Sequence, residues 1–134
     1  MQLKKSYKGF VIWMVVYMLA NTLIVFLPIK DTALLLRFTL GINALGILIL
    51  TVLIYLTEKI FWYSGMDYET ALKAGSQARK RYAFRHVRIF GVFTAVYLLF
   101  SLIMQLFQMS MWADITVFTV GITVAAFSTI RIRL

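Results

Sequence analysis

Four long apolar stretches alternate with short basic segments, and this alternation most constrains how the chain can fold. The stretches cover about residues 9–27, 38–57, 89–108 and 115–130. At a rise of about 1.5 Å per residue, α-helices of these lengths approach the ~30 Å hydrocarbon core of a bilayer. Only helices and closed barrels satisfy every backbone group inside lipid. We therefore predict an all-α, integral membrane four-helix bundle that forms a single domain over residues 1–134.

The composition agrees with a membrane protein. Hydrophobic residues make up 62% of the chain, charged residues only 14%, and the mean hydropathy is +0.87. A soluble domain averages about 25% charged residues. The chain has no cysteine, which excludes disulfides, thiolate metal sites and a thiol nucleophile.

The distribution of Lys and Arg predicts the orientation. Twelve of the fourteen lie in three segments, at residues 4–8, 59–88 and 131–133, and these fall on one side if each apolar stretch crosses once. Basic residues in short loops are retained on the cytoplasmic face. We therefore expect both termini to be cytoplasmic, in the cell inner membrane. Residues 9–27 are longer than a signal-peptide core, so we expect an uncleaved anchor.

The segment between the second and third spans is predicted to form an amphipathic cytoplasmic helix over about residues 67–88. Asp67 is a candidate N-cap, and no strong helix breaker follows it, so this helix is expected to continue into span three. Its cations form what we call the basic cluster: Lys73, Arg79, Lys80, Arg81, Arg85 and Arg88. Such clusters orient spans, and they also bind anionic lipid headgroups or an acidic partner. We keep all three roles open.

Polar side chains within the spans recur at helical spacing and concentrate toward the non-cytoplasmic side. Amides in hydrocarbon need hydrogen-bond partners, so their faces should meet. We call this set the polar seam: Asn21, Asn43, Ser101, Gln105, Gln108, Thr119 and Thr123. Three interpretations stay open, namely hydrogen bonding between helices, a polar vestibule for a solute, and contact with a partner protein.

Charged residues are predicted only at the edges of the spans. Arg37 is placed just outside span two and Asp114 at the start of span four. We interpret Asp114 as a helix cap, with pairing to Arg37 as the alternative. The predicted membrane interior therefore lacks the ionisable group that proton-coupled transporters commonly use.

No combination of residues predicts catalysis. His86 is the only histidine, the serines have no recognisable base partner, and there is no glycine-rich phosphate loop. We expect no metal, no cofactor and no nucleic-acid partner, because the basic residues flank spans and no nucleic-acid-binding motif accompanies them.

Two hypotheses follow for the function. The first is a non-enzymatic membrane protein that acts by association, as a homo-oligomer or as an accessory subunit of a membrane complex. The alternative is an oligomeric transporter or channel for a polar or amphiphilic solute, with the polar seam as its entry.

Overall fold

The computed structural model describes residues 3–134, and within that range the chain is helical and contains no strand. The all-α prediction is thus confirmed. The five α-helices are α1 (Lys8–Ile24), α2 (Thr32–Thr57), α3 (Tyr68–Lys73), α4 (Gly75–Leu106) and α5 (Met111–Ile130), and a short 3₁₀ turn lies at Ile60–Trp62.

Among the described residues, α2, α4 and α5 are long and apolar enough to cross a membrane. Their length and composition are compatible with the predicted membrane protein. Helix α1 is also apolar but has only 17 residues. It ends at Ile24 rather than at Leu27, because the backbone tightens before Pro28. Amides 25–27 each bond the carbonyl three positions earlier, which is 3₁₀ geometry.

Helix α2 begins at Thr32, earlier than the predicted start at Phe38. The cause is Asp31, whose side chain accepts hydrogen bonds from the backbone amides of Ala33 and Leu34 and so caps the helix. As a consequence, Arg37 lies inside a helix and not outside the span.

The predicted helix over residues 67–88 is two helices. Asp67 does cap α3, accepting from the amide of Thr70 at 2.6 Å. The helix then stops because Gly75 adopts a positive φ of 76°, a conformation that glycine tolerates. From Gly75, α4 runs without interruption to Leu106, so the predicted continuation of the basic helix into the third apolar stretch is confirmed.

The connection between α4 and α5 is a tight turn built on a Schellman motif. The backbone N–H of Met109 donates to the backbone carbonyl of Met104, and the backbone N–H of Gln108 donates to the backbone carbonyl of Gln105. Gln108 occupies the left-handed position with φ 50°, where glycine is usual. Ser110 then caps α5. The interpretation of Asp114 as the helix cap is therefore wrong, because α5 starts one turn earlier.

Helix α2 lies at the centre of the packing, since it contacts α1, α4 and α5. Its middle packs in an apolar cluster formed by Ala44, Phe93, Tyr97 and Ala125. Its C-terminal end packs in a second cluster around Ile54, together with residues of the 3₁₀ turn, α3 and early α4. Polar groups lie near both ends of α2.

Candidate functional site

A buried charged cluster lies where α2, α4 and α5 meet. The Nε of Arg37 donates to Oδ2 of Asp114 at 3.0 Å, Nη1 donates to Oε1 of Gln105 at 2.6 Å, and Nη2 donates to the carbonyl of Met109 at 2.7 Å. Arg37 is 6% exposed and Asp114 is fully buried. Every nitrogen of the guanidinium therefore has a partner, as a buried charge requires.

Local structure explains how these partners converge. The Schellman turn at Gln108 directs the Met109 carbonyl toward α2, where Nη2 of Arg37 donates a hydrogen bond to it. The cap at Ser110 starts α5 early enough to place Asp114 within its first turn. The alternative interpretation, a pairing of Asp114 with Arg37, is the arrangement found.

Two buried oxygens in this cluster make no hydrogen bond to another described residue. They are Oδ1 of Asp114 and the hydroxyl of Tyr97. Tyr97 is followed at four-residue spacing by Ser101, also buried, and by Gln105. Sequence reasoning did not include Tyr97, although its spacing from Ser101 was the signal that could have identified it.

A second polar cluster joins α1 to α2. The hydroxyl of Tyr17 donates to Oδ1 of Asn43, and Nδ2 of Asn43 donates to Oδ1 of Asn21 at 2.9 Å. Asn21 in turn donates to the carbonyl of Tyr17 at 2.9 Å. These part-buried side chains satisfy one another's hydrogen bonds and join α1 to α2.

Gly46 allows this second cluster to form. A Cβ built on Gly46 would lie 2.5 Å from the ring of Tyr17, so only glycine leaves room for that ring. One turn away, Nε1 of Trp13 donates to the carbonyl of Gly46 at 3.0 Å. Close approach of α1 to α2 thus depends on this position.

The polar seam is divided in the structure. Asn21 pairs with Asn43, whereas Gln105 bonds Arg37, and Ser101 is buried one turn earlier on α4. The remaining three members are exposed: Gln108, Thr119 and Thr123. Gln108 serves the turn, while the hydroxyl of Thr123 donates to the carbonyl of Thr119 within α5.

The basic cluster is divided as well, because Arg79 is buried in an ion pair. Its Nε and Nη2 donate to Oε2 of Glu58 at 3.2 and 2.8 Å, and its Nη1 donates to the carbonyl of Ala71 at 3.1 Å. Ser76 donates to the other carboxylate oxygen at 2.7 Å, with Lys80 3.7 Å from the same oxygen. Arg79 is therefore a structural residue that joins α3 and α4 to the end of α2.

Glu58 is held in an uncommon conformation with its charge retained. It is the C-cap of α2 at φ 58°, in the left-handed region, and only 3% exposed. Burial favours the neutral acid and raises the pKa of Glu58. Hydrogen bonds from Ser76 and Arg79 and the positive charges of Arg79 and Lys80 favour the carboxylate, and together they outweigh the effect of burial. The pKa of Glu58 is therefore lower than usual.

The other members of the basic cluster are exposed. They are Lys73, Lys80, Arg81, Arg85 and Arg88. Within the described residues, no carboxylate lies within 4 Å of these cations except Glu58, which Lys80 approaches. Their charge is therefore available to a ligand or a surface.

His86 is part of an aromatic stack. Its ring lies 4.1 Å from that of Tyr63 and 4.7 Å from that of Tyr82, and Nδ1 contacts the carbonyl of Tyr82 at 3.0 Å. In the part of the chain that the structure describes, no three His, Cys, Asp or Glu residues are grouped as metal ligands would be.

No family model matches this chain, and neither a curated protein sequence nor a solved structure is similar to it.

Proposed function

We propose that this chain is a non-enzymatic protein of the cell inner membrane with four spans packed as one bundle and both termini cytoplasmic. It acts by association, either with copies of itself or as an accessory subunit of a membrane complex. The observation that carries this proposal is the outward-facing row of threonines on α5.

The spacing of the charged groups on α2 supports insertion in a membrane. Arg37 and Glu58 are separated by about 31 Å along the helix, close to the ~30 Å thickness of the hydrocarbon core. The residues between them are uncharged. Each charged residue would then lie near one membrane boundary, with Glu58 and the basic cluster on the cytoplasmic side.

Helix α1 is long enough to be the fourth span. Its 17 residues give about 25 Å of α-helix, and the 3₁₀ residues before Pro28 add about 6 Å. Its polar cluster with α2 supports the same depth for both helices, since Asn21 bonds Asn43 directly.

The threonine face of α5 supports association. Thr116, Thr119 and Thr123 are exposed, and they lie on a helix that buries only Asp114 and Ala125 within the chain. Exposed polar and small side chains in a span commonly contact another helix. The hydroxyls of Thr116 and Thr123 donate within α5, but their oxygens can still accept a hydrogen bond that lipid does not provide. A neighbouring subunit would cover this face.

The test of association replaces the three threonines with valine, which keeps their shape and removes the hydroxyl. We expect the cross-linked oligomer or co-purifying complex to decrease several-fold in membranes. Thr22→Val is the matched control, because Thr22 is also exposed and bonds its own helix at Met18. Equal association of the triple variant and the wild type would refute the proposed surface.

A second candidate function, transport of a polar or amphiphilic solute, is favoured by one observation. Oδ1 of Asp114, whose other carboxylate oxygen pairs with Arg37, and the hydroxyl of Tyr97 are buried with no hydrogen bond to another described residue. A transported polar group would find an acceptor and a phenol there. Tyr97→Phe, which removes one of these buried groups, separates the candidates: loss of a measured flux with assembly retained supports transport, whereas an unchanged flux contradicts it.

A further inference from the structure

A groove of about 650 Å³ runs between α4 and α5 and is open to the outside. Its walls are aliphatic, with Val92 and Val96 on α4 and Val124 on α5. Its floor is closed where Phe93 meets Gly121, since a Cβ on Gly121 would lie 2.8 Å from the Phe93 ring. The groove is therefore an apolar depression on the outer surface of α4 and α5.

The end of the groove nearest the basic cluster is cationic. Arg85 and Arg88 line it, together with the hydroxyl-bearing Ser128. Within residues 3–134, no carboxylate lies within 4 Å of either arginine, and Glu58 is already held by Arg79. Two unneutralised guanidinium groups thus adjoin a deep aliphatic surface.

The length of the groove corresponds to one leaflet. Its α4 wall extends from Arg85 to Tyr97, about 18 Å at 1.5 Å per residue. One leaflet of the hydrocarbon core is about 15 Å thick. A ligand with an anionic head and one long apolar chain would match both ends of the groove.

We propose that the groove binds an anionic phospholipid of the cytoplasmic leaflet, with its phosphate at Arg85 and Arg88 and one acyl chain between α4 and α5. Charge complementarity selects this occupant over a second copy of the chain. A copy carries a formal charge of +9, and its own basic end would face the same arginines. The site rests on the proposed membrane insertion of α4 and α5, but it needs no partner protein.

The test uses the full chain, reconstituted with phosphatidylglycerol and phosphatidylcholine in equal parts, then extracted and examined by native mass spectrometry. The wild type should retain phosphatidylglycerol in preference to phosphatidylcholine. Arg85→Gln with Arg88→Gln should weaken that retention by about 25-fold, since each cation near a membrane surface contributes a factor of about five. The control is Lys73→Gln with Arg81→Gln, which removes two exposed charges that do not line the groove.

A second variant tests the groove independently of charge. Val96→Trp places an indole in the acyl-chain position, while Leu99→Trp places one on an exposed part of α4 outside the groove. We expect phosphatidylglycerol retention to fall several-fold for Val96→Trp and to stay unchanged for Leu99→Trp. Because both positions are exposed, neither change should prevent folding.

Three results would overturn the proposal. Equal losses in the two double glutamine variants would mean diffuse attraction to the surface, and full retention with Val96→Trp would mean that no chain enters the groove. A change in oligomeric mass with Val96→Trp would mean that a second copy occupies it. Reporter tags on both termini check the topology separately, so a failure of membrane insertion is distinguishable from a failure of lipid binding.

Discussion

Arg37 of α2 and Asp114 of α5, 77 positions apart in the chain, form a buried ion pair with Nε 3.0 Å from Oδ2. Removing one partner of such a pair leaves an uncompensated buried charge. Asp114→Ala should therefore destabilise the folded protein by about 3–5 kcal/mol, measured as the free energy of unfolding in detergent micelles.

The double variant Arg37→Met with Asp114→Leu distinguishes the charge effect from a packing effect. Because neither buried charge remains, most of the loss should be recovered. If the double variant is as unstable as Asp114→Ala, the ion pair is not the source of the effect.

Gly46→Ala should destabilise the contact between α1 and α2. The added Cβ would lie 2.5 Å from the ring of Tyr17, and overpacking of this kind costs about 1–3 kcal/mol. The measurement is the thermal unfolding midpoint, combined with cysteine cross-linking of α1 to α2. Gly91→Ala is the matched control. Its Cβ would meet only Leu48 at 3.8 Å, so higher helix propensity should stabilise α4 by up to about 1 kcal/mol.

The contact of Glu58 with Arg79 should make stability depend on acid pH. The pKa of Glu58 is below the usual 4.5 in the folded protein, so its contribution is present above the unfolded-state pKa. That contribution is lost as the pH falls through the folded-state pKa. The difference in thermal midpoint between wild type and Glu58→Gln should therefore be largest near neutral pH and shrink in acid.

The exposed Glu69 in the first turn of α3 provides the control for this titration. Glu69→Gln should follow the wild-type pH profile with little offset. A gap between wild type and Glu58→Gln that is constant from neutral pH into acid would contradict the role assigned to the ionised carboxylate.

Gln108→Gly should stabilise the turn between α4 and α5. Gln108 holds φ 50°, a left-handed conformation that costs a non-glycine residue about 1 kcal/mol. Glycine removes that cost while the Schellman hydrogen bonds remain. The expected gain of about 1 kcal/mol is measured by unfolding, with Gln108→Val as the destabilising comparison. A loss of stability with glycine would show that the side-chain amide of Gln108 makes a stabilising contact.

The sequence predicted the helices well where the signal is local. Hydrophobic length identified α2, α4 and α5, and the cap at Asp67 was identified correctly because its partner, Thr70, lies three residues away. The end of α3 was missed because Gly75 was not recognised as a helix breaker.

The charged clusters were harder to predict because they depend on distant parts of the chain. Arg37 was placed outside its helix, since the cap at Asp31 was not recognised. Arg79 resembles its exposed neighbours in sequence, and only the packing of α4 against the end of α2 buries it against Glu58. The turn that brings Met109 to Arg37 places glutamine where glycine is expected, so residue preference gave no indication of it.

Buried hydrogen bonds of charged side chains join α2 to α4 near both ends of α2, between Arg37 and Gln105 and between Glu58 and Arg79. Sliding or rotating these two helices past each other would break a buried hydrogen-bonded charge at one end or the other. Helices α2 and α4 are therefore expected to move together as one rigid unit. The part of α5 beyond Ala125 buries no further residue, so a response to a subunit or lipid would move this segment most easily.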